Sequence, residues 1–558
     1  MIRPVRRAWR GNKGTMEMAV IDSKVDVHGD DFARNREGML ERIKAWRDIE
    51  AKGRAEEAAK QERFEKRGQI LPRERVHLML DRGSPWLELS TLCGYGQHDD
   101  KDGSLAGGNQ IAGIGYVSGT RCLIVASNSA IKGGTMTPWG VQKTLRLQEI
   151  SLDQRLPVVS MIESGGANLL YQAEVFIPGG KTFANQCRLS AAGIPQVTVV
   201  HGSSTAGGAY MPGLSDYVIM VRKQAKVFLA GPPLLKAATG EIADDEDLGG
   251  AEMHCQVAGT SEFIAENDAD GIRLAREVMA NIGWNADRPP LQLREVRAPR
   301  YDVEEICGVV PADYRRPYDP REVIARIADD SDFLDFKTEY DTQTICGRAV
   351  IEGHQVGIIA NNGPITTKGA TKAGQFIQQC CQSNIPIVYL MNTTGYMVGS
   401  DSEQGGIVKH GSKMIQAVAN AHVPQITIVM GGSFGAGNYG MCGRGFGPDF
   451  IFAWPNSRTS VMGGEQAAGV MEIITREKYE KQGKAIDDAE EKRLAAVRQQ
   501  IVDQFDRESD AFAASARMFD DGIIDPRDTR RVLGLCLSVC REAKLRQLHG
   551  NSFGVARL

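Results

Sequence analysis

The run Gly193-Ile194-Pro195-Gln196-Val197-Thr198-Val199-Val200, continued by Gly202-Ser203-Ser204-Thr205-Ala206-Gly207-Gly208-Ala209-Tyr210, occurs twice in this chain. Its second form is His422-Val423-Pro424-Gln425-Ile426-Thr427-Ile428-Val429, continued by Gly431-Gly432-Ser433-Phe434-Gly435-Ala436-Gly437-Asn438-Tyr439. Pro195 and Pro424, like Tyr210 and Tyr439, stand 229 residues apart. Leu156-Pro157-Val158-Val159 and Ile385-Pro386-Ile387-Val388 keep the same offset. Upstream, Gly119 and Ala126 match Gly353 and Ala360 at an offset of 234, the difference being a small loop insertion. A chance repeat does not hold register through several blocks, so the chain is two copies of one fold.

Each copy reads as α/β. Cys122–Ala126, Val158–Ile162, Val197–Val200, Ile358–Ala360, Ile387–Met391 and Ile426–Met430 are short apolar, mostly β-branched runs, the pattern of buried parallel strands. Val141–Leu152 and Lys372–Ser383 carry helical periodicity, and Gly-rich turns follow the strands. Residues 477–518, charged and Ala-rich, predict a long solvated helix or a helical hairpin. Pro289, Pro290, Pro299, Pro311, Pro317 and Pro320 mark a linker between the copies. The expected division is a basic, disordered extension at 1–17, an N-terminal domain at 18–290, a linker at 291–320 and a C-terminal domain at 321–558. Arg3, Arg6, Arg7, Arg10 and Lys13 precede any acidic residue. That stretch is read as an extension upstream of a start at Met16 or Met18. A mitochondrial transit peptide is the alternative, but the stretch lacks Ser and an amphipathic pattern.

Composition narrows the class. A net charge of −4 argues against a nucleic-acid binder, and no run of 18 apolar residues is present to span a membrane. The 11 cysteines form no CxxC pair, which removes zinc ribbons and thioredoxin-like sites; adjacent Cys380 and Cys381 suit a buried helix face. The chain contains no GxxxxGK[ST] or HExxH, and Gly113-Ile114-Gly115 lacks the third glycine of a dinucleotide fingerprint. His201, His254, His354, His410 and His422 lack ligand spacing and read as structural. What remains is two Gly-rich turns, Ser203–Tyr210 and Gly432–Tyr439. Glycine there permits either tight strand–helix packing or close approach of backbone N–H groups to an oxyanion. Two oxyanion-type turns without an acid, base, nucleophile or metal suit enolate chemistry whose base comes from a cofactor.

The longer motifs resemble one family. Glu163-Ser164-Gly165-Gly166-Ala167-Asn168-Leu169, Thr205–Tyr210, Phe228-Leu229-Ala230-Gly231-Pro232-Pro233 and Leu248-Gly249-Gly250-Ala251-Glu252 are similar to the N-terminal half of acyl-CoA carboxylase carboxyltransferases. Ser433–Met441, Trp454-Pro455-Asn456, Val461–Ala468 and Asp521–Arg530 are similar to the C-terminal half. The resemblance spans roughly 20–558 and implies two tandem crotonase-like domains, each a β-β-α superhelix. It also implies a homohexamer, with each site between the N-domain of one copy and the C-domain of another. The implied partner is a biotin carboxylase/biotin carrier alpha subunit in an alpha6-beta6 assembly. The implied small molecules are a coenzyme A thioester as substrate and carboxybiotin carried on the partner, with no metal in this subunit.

Residue by residue, the resemblance assigns the N–H groups of Gly207 and Gly208 to the thioester oxygen as it becomes an enolate. Those of Gly437 and Asn438, with Ala436 alongside, would polarise the ureido oxygen of biotin. Gly165, Gly166 and Ala167 would line the CoA site, and Lys132-Gly133-Gly134 would be a loop lining that site or else a surface turn. Glu465 would open a helix and Trp454 would be core. Carboxybiotin would release CO2, the biotin anion would take the substrate proton, and the carbanion would attack CO2.

Asn438–Arg444 and Ala167-Asn168-Leu169 resemble the methylcrotonyl-CoA and geranyl-CoA branch, in which the γ-methyl carbon of a 3-methyl-2-enoyl thioester is carboxylated through a dienolate. Ile177-Pro178-Gly179-Gly180-Lys181-Thr182 departs from the methylcrotonyl pattern, which has a longer segment with a bulky aromatic residue. Gly179 and Gly180 would open room for a longer acyl tail, unless the change is a loop deletion outside the pocket. Geranyl-CoA is the expected substrate, and the bacterial cytoplasm the expected compartment, with the mitochondrial matrix as alternative. The rival readings are a biotin-dependent decarboxylase subunit, a hydratase or isomerase needing a glutamate by the turn, and a non-catalytic scaffold.

Overall fold

A computed structural model of the chain describes residues 20–483 and 486–556. The expected extension at 1–17 lies outside the described residues. The first sheet has eight strands: β1 Leu87–Glu88, β2 Gln110–Val117, β3 Thr120–Ser127, β4 Val158–Ser164, β5 Gln196–Thr205, β6 Tyr217–Val221, β7 Lys226–Phe228 and β8 Phe263–Ala265. They run in the order β1-β2-β3-β4-β5-β6-β8, with β7 on the end of β5. The second has seven: β9 Leu334–Asp335, β10 Thr344–Ile351, β11 His354–Asn361, β12 Ile387–Thr393, β13 Gln425–Phe434, β14 Phe450–Ala453 and β15 Arg458–Ser460. Their order is β14-β13-β12-β11-β10-β9, with β15 on β13.

The repeat in sequence is a repeat in hydrogen-bond register. β4 meets β5 in parallel at Val158–Gln196, and β12 meets β13 at Ile387–Gln425, each residue displaced by 229. The register slips between Ile162 and Ser164 in one copy and between Met391 and Thr393 in the other. All ten residues of β13 are buried, the pattern of a strand covered on both faces. The expected helices lie within Pro138–Gln154 and Thr367–Gln382. Thr137 and Thr366 cap them by accepting from the Gly140 and Gly369 N–H groups. Each helix buries one lysine. Lys143 donates to the carbonyls of Ser90, Gly107 and Gln110, and Lys372 to that of Asp341. Burial pushes both ammonium groups down. The charged segment after 460 is a hairpin of Gly464–Lys481 and Asp488–Ser509, starting earlier than its composition predicts.

Each sheet is built from one copy, yet the chain ends cross over. Helix Asp30–Ala58 packs on the C-terminal half: Asn35 Nδ2 donates to the Gly308 carbonyl at 3.1 Å, and Arg42 pairs with Asp510 at 2.6 Å. Helix Thr529–Leu545 and the tail return to the N-terminal half, where Glu542 pairs with Arg121 at 3.0 Å and the Asn551 N–H meets the Ala191 carbonyl. The Pro-rich stretch 291–320 is not a free linker. Its Ile306, Cys307, Val309 and Val310 are buried in a core shared with Leu147, Val388, Trp454 and Leu533 of both halves. Among the described residues no helix is long and apolar enough to cross a membrane.

Candidate functional site

Strand β5 is followed by a left-handed residue, Ala206 (φ 53°), which opens a short 3₁₀ turn over Ala206–Ala209. Gly208 presses against the end of β4: a Cβ there would lie 2.8 Å from Ser164 Oγ. Ser204 Oγ donates to the Gly208 carbonyl at 2.9 Å. The neighbouring Gly165–Ala167 turn is held by Gly166 (φ 85°), whose added Cβ would lie 3.6 Å from the Thr205 carbonyl oxygen. The first N–H groups of such a turn have no acceptor within it and point to the carboxyl end of the parallel strands.

The second copy repeats this. β13 is followed by Gly435 (φ 52°), which opens helix Gly435–Gly440. A Cβ on Gly437 would stand 2.8 Å from Thr393 Cγ2 and 2.9 Å from the Gly395 Cα. The register pairs Gly207 with Ala436 and Gly208 with Gly437, so Asn438 corresponds to Ala209. Asn438 turns its side chain back, donating from Nδ2 to Ser433 Oγ at 2.7 Å.

Behind the two turns the copies differ. In the first, Glu163 lies across Gly202, where a Cβ would come 2.6 Å from Oε1. The Glu163 carboxylate accepts from Gln69 Nε2 at 2.6 Å and pairs with Arg75 at 3.3 Å. Arg75 also donates to Asp268 at 3.0 Å, and Asp268 meets His201 Nδ1 at 2.9 Å. All four ionisable groups are buried. Burial pushes the Glu163 carboxyl up, against the pull of Arg75. Burial, aided by the Arg75 charge, pushes His201 down to about 4, so the imidazole is neutral and donates from Nδ1. Burial also works against ionised Asp268, but its hydrogen bond from His201 and the Arg75 charge hold it below the usual carboxylate range. In the second copy Asn392 takes the place of Glu163. It lies across Gly431 with a Cβ distance of 2.5 Å to Oδ1, accepts from the Gly432 N–H at 2.8 Å, and donates to Asn362 Oδ1 at 2.7 Å.

Of the other expected residues, Gly133 and Gly165 line one cavity, and a Cβ on Gly134 would strike the Glu163 carbonyl at 2.3 Å. Lys132 turns instead to an ion pair with Asp99. The segment expected as a shortened loop is helical: Gly179 and Gly180 sit mid-helix in Gln172–Ala191, just after Pro178. Gly179 faces Met136, at 3.7 Å from its Sδ to an added Cβ, while Gly180 has nothing within 4 Å. One turn further on, Phe183 comes within 3.9 Å of a Cβ placed on Gly207. Packing overrides local helix breaking here. Trp454 is fully buried and donates to Thr529 Oγ1, and Glu465 opens helix Gly464–Lys481. His201, His254 and His354 are buried in hydrogen bonds. Among the described residues, no group of three or more His, Cys, Asp or Glu could hold a metal ion. Sequence reading missed Arg75 and Asp268; the available signal was the mismatch of Glu163 with Asn392 inside an otherwise faithful repeat.

A carboxyl transferase domain family model matches residues 63–553. A probable biotin-dependent acyl-coenzyme A carboxylase beta2 subunit of Mycobacterium tuberculosis is 48% identical over 499 residues, covering 89% of this chain and 92% of the relative. A probable mitochondrial methylcrotonoyl-CoA carboxylase beta chain of Drosophila melanogaster is 45% identical over 542 residues, covering 93% and 92%. The solved structure of the P. aeruginosa geranyl-CoA carboxylase beta subunit superposes with a TM-score of 0.90 at 59% identity, covering 97% of this chain and 100% of that one. The chain belongs to the carboxyl transferase family and is an enzyme of tandem crotonase-like fold. Within that family it falls among the beta chains of biotin-dependent acyl-CoA carboxylases, in the methylcrotonyl-CoA and geranyl-CoA branch.

Proposed function

We propose that this subunit carboxylates the γ-methyl carbon of a branched 2-enoyl-CoA, with geranyl-CoA as the substrate. The observation that carries the reading is the pair of matched turns, each pressed onto the preceding strand end by a glycine that admits no side chain, Gly208 and Gly437. In this reading the N-terminal copy, 18–290, takes the acyl-CoA. The Gly207 and Gly208 N–H groups hold the thioester oxygen as negative charge reaches it from the γ-carbon through the conjugated double bond, while Gly165, Gly166 and Ala167 line the thioester arm. The C-terminal copy, 321–558, faces the cofactor through the N–H groups of Gly437 and Asn438, beside Ala436. Biotin, carried on a partner alpha subunit, supplies the carboxyl group and the base when bound. Donors fixed in this way are each worth about 3–4 kcal/mol of barrier. We place the working site between the N-domain of one copy and the C-domain of another in a homohexameric core, within an alpha6-beta6 enzyme of the bacterial cytoplasm.

For the longer acyl chain, the support is the bare Gly179 on the helix that brings Phe183 to the first turn, together with 59% identity to a geranyl-CoA carboxylase subunit. The test is 14C-bicarbonate fixation with ATP and the alpha subunit across geranyl-, methylcrotonyl-, propionyl- and acetyl-CoA. Label in geranyl-CoA supports the reading. Label in methylcrotonyl-CoA alone keeps the enzyme class and discards the open pocket, and no label with an active partner favours a decarboxylase. Gly179→Leu is expected to raise the KM for geranyl-CoA about tenfold, a cost of roughly 1.4 kcal/mol, while methylcrotonyl-CoA stays within about twofold.

A further inference from the structure

The cavity beside the first turn, about 530 Å³, has Glu163, Ser164, Gly202, Ser203 and Thr205 in its wall. Their counterparts 229 residues on are Asn392, Thr393, Gly431, Gly432 and Phe434. The backbone at the last of these is the same in both copies: Thr205 has φ −117° and ψ 158°, Phe434 φ −116° and ψ 141°. The space in front of it differs. Ser203 is exposed and Thr205 half-buried, whereas Gly432 and Phe434 are buried. Tyr314, from the Pro-rich stretch between the copies, covers them. Its ring centre lies 5.1 Å from that of Phe434. A Cβ on Gly432 would stand 3.2 Å from Tyr314 Cδ2 and 3.1 Å from Phe434 Cε2. The Tyr314 hydroxyl reaches the loop after β15, 3.5 Å from a Cβ placed on Gly463.

The duplication repeats the frame that holds Tyr314 in place. In the first copy Gln224, two residues before β7, donates from Nε2 to the Gly68 carbonyl at 3.0 Å, tying down the strap that follows helix Gln61–Glu65. In the second, Asn456, two residues before β15, donates from Nδ2 to the Pro311 carbonyl at 3.3 Å, tying down the strap that follows helix Ile306–Val309. That second strap is pinned on the far side of Tyr314 as well. Asn362 Nδ2 donates to the Tyr318 carbonyl at 2.5 Å, and Arg316 donates to Asp31 of the first helix at 3.3 Å. The first strap leaves its cavity open; the second sends an aromatic ring into the matching space, where it pairs with another. The turn itself stays reachable, since Ala436 and Tyr439 are exposed.

We propose that Tyr314 and Phe434 are specificity-determining residues that decide which ligand the second turn accepts. They plug, in the C-terminal copy, the space that a nucleotide-bearing thioester would need, and so keep that turn for the ureido group of the cofactor. Two turns of like backbone would otherwise compete for one thioester, and discrimination between like sites is achieved by obstruction. This rests on the reading that the first turn takes the thioester. The test is titration calorimetry with free CoA on the enzyme assembled with its alpha subunit, together with rates across a wide range of geranyl-CoA. Tyr314→Ser combined with Phe434→Thr, which copies Thr205, should raise CoA capacity from about one to about two per beta chain. Geranyl-CoA should then inhibit its own carboxylation at high concentration, a gain that a merely structural role would not produce. In the reciprocal variant, Thr205→Phe, the plug enters the first copy and should raise the CoA Kd about tenfold. An opened variant that still binds CoA at its first site, yet gains neither a second site nor substrate inhibition, overturns the assignment. If the opened variant does not assemble, a Thr205→Phe enzyme with a CoA Kd within about twofold of the parent overturns it independently. An unaltered enzyme that already takes two CoA per beta chain overturns the plug alone, and one that binds no CoA refutes the thioester reading beneath it.

Discussion

The two turns are alike in backbone and unlike in what backs them. Gly208 and Gly437 meet Ser164 and Thr393, Gly166 and Gly395 hold the adjoining turn, and Gly202 and Gly431 lie under the side chains of Glu163 and Asn392. Each pair is 229 residues apart. Behind the first turn stand ionisable groups, Glu163, Arg75, Asp268 and His201. Behind the second stand amides, Asn361, Asn362 and Asn392, with Met430 in the place of His201. Sterics at a strand end tolerate few solutions, so the glycines persisted through the duplication. The polar backing only has to satisfy its own hydrogen bonds, and both a charge cluster and an amide cluster can do that. The two differ in what happens when one member is lost.

That difference gives the largest expected effect. Arg75→Met strips the cation from two buried carboxylates and should cost about 3–5 kcal/mol in chemical denaturation. Asn392→Ala, which strands the Gly432 N–H, should cost about 1–3 kcal/mol. Equal losses would show that the charge of the first cluster adds nothing beyond hydrogen bonding. Next, Gly437→Ala should lower carboxyl transfer about 10²–10³-fold, because backbone at Gly395 blocks relaxation. Gly208→Ala meets a serine side chain and should lose less; steady-state kcat with carboxybiotin supply held saturating would rank the two.

Acid should then separate the clusters. Between about pH 4, where folded His201 titrates, and roughly 6.5 for an unfolded histidine, the folded chain binds fewer protons than the unfolded one. Stability attached to His201 is therefore present above that window and lost as pH falls through it, by an amount on the order of 3 kcal/mol. The Tm difference between the parent and His201→Asn should change across this window; a constant difference would sink the idea that His201 is held neutral. The smallest effect should come from copying the second turn into the first. Gly207→Ala reproduces Ala436, its Cβ meets only Phe183 at 3.9 Å, and the N–H remains. Activity should stay within about threefold, or under 1 kcal/mol. Ala206→Gly, copying Gly435, should relieve roughly 1 kcal/mol of left-handed strain.

Much of this molecule is readable from the order of its residues. The 229-residue repeat, the apolar β-branched runs and the Gly-rich turns after them foretell two matching sheets, because strand burial and turn conformation depend on neighbours a few residues away. The recurrence of a Gly-rich turn after each of two matching strands directs attention to the backbone donors of the turns. Tertiary structure alone decided the rest. Arg75 and Asp268 are 193 residues apart in sequence, so no local pattern announces that they meet beneath Glu163. Gly179 and Gly180 follow a proline and read as a break, yet packing against Met136 carries the helix through them. The chain ends cross to the opposite halves, and Met39 and Ile43 of the first helix share one core with Leu147, Val388, Trp454 and Leu533, a meeting no local pattern announces. Periodicity records which face of a segment is buried. It does not record the partner that buries it, and buried charges are settled by the partner.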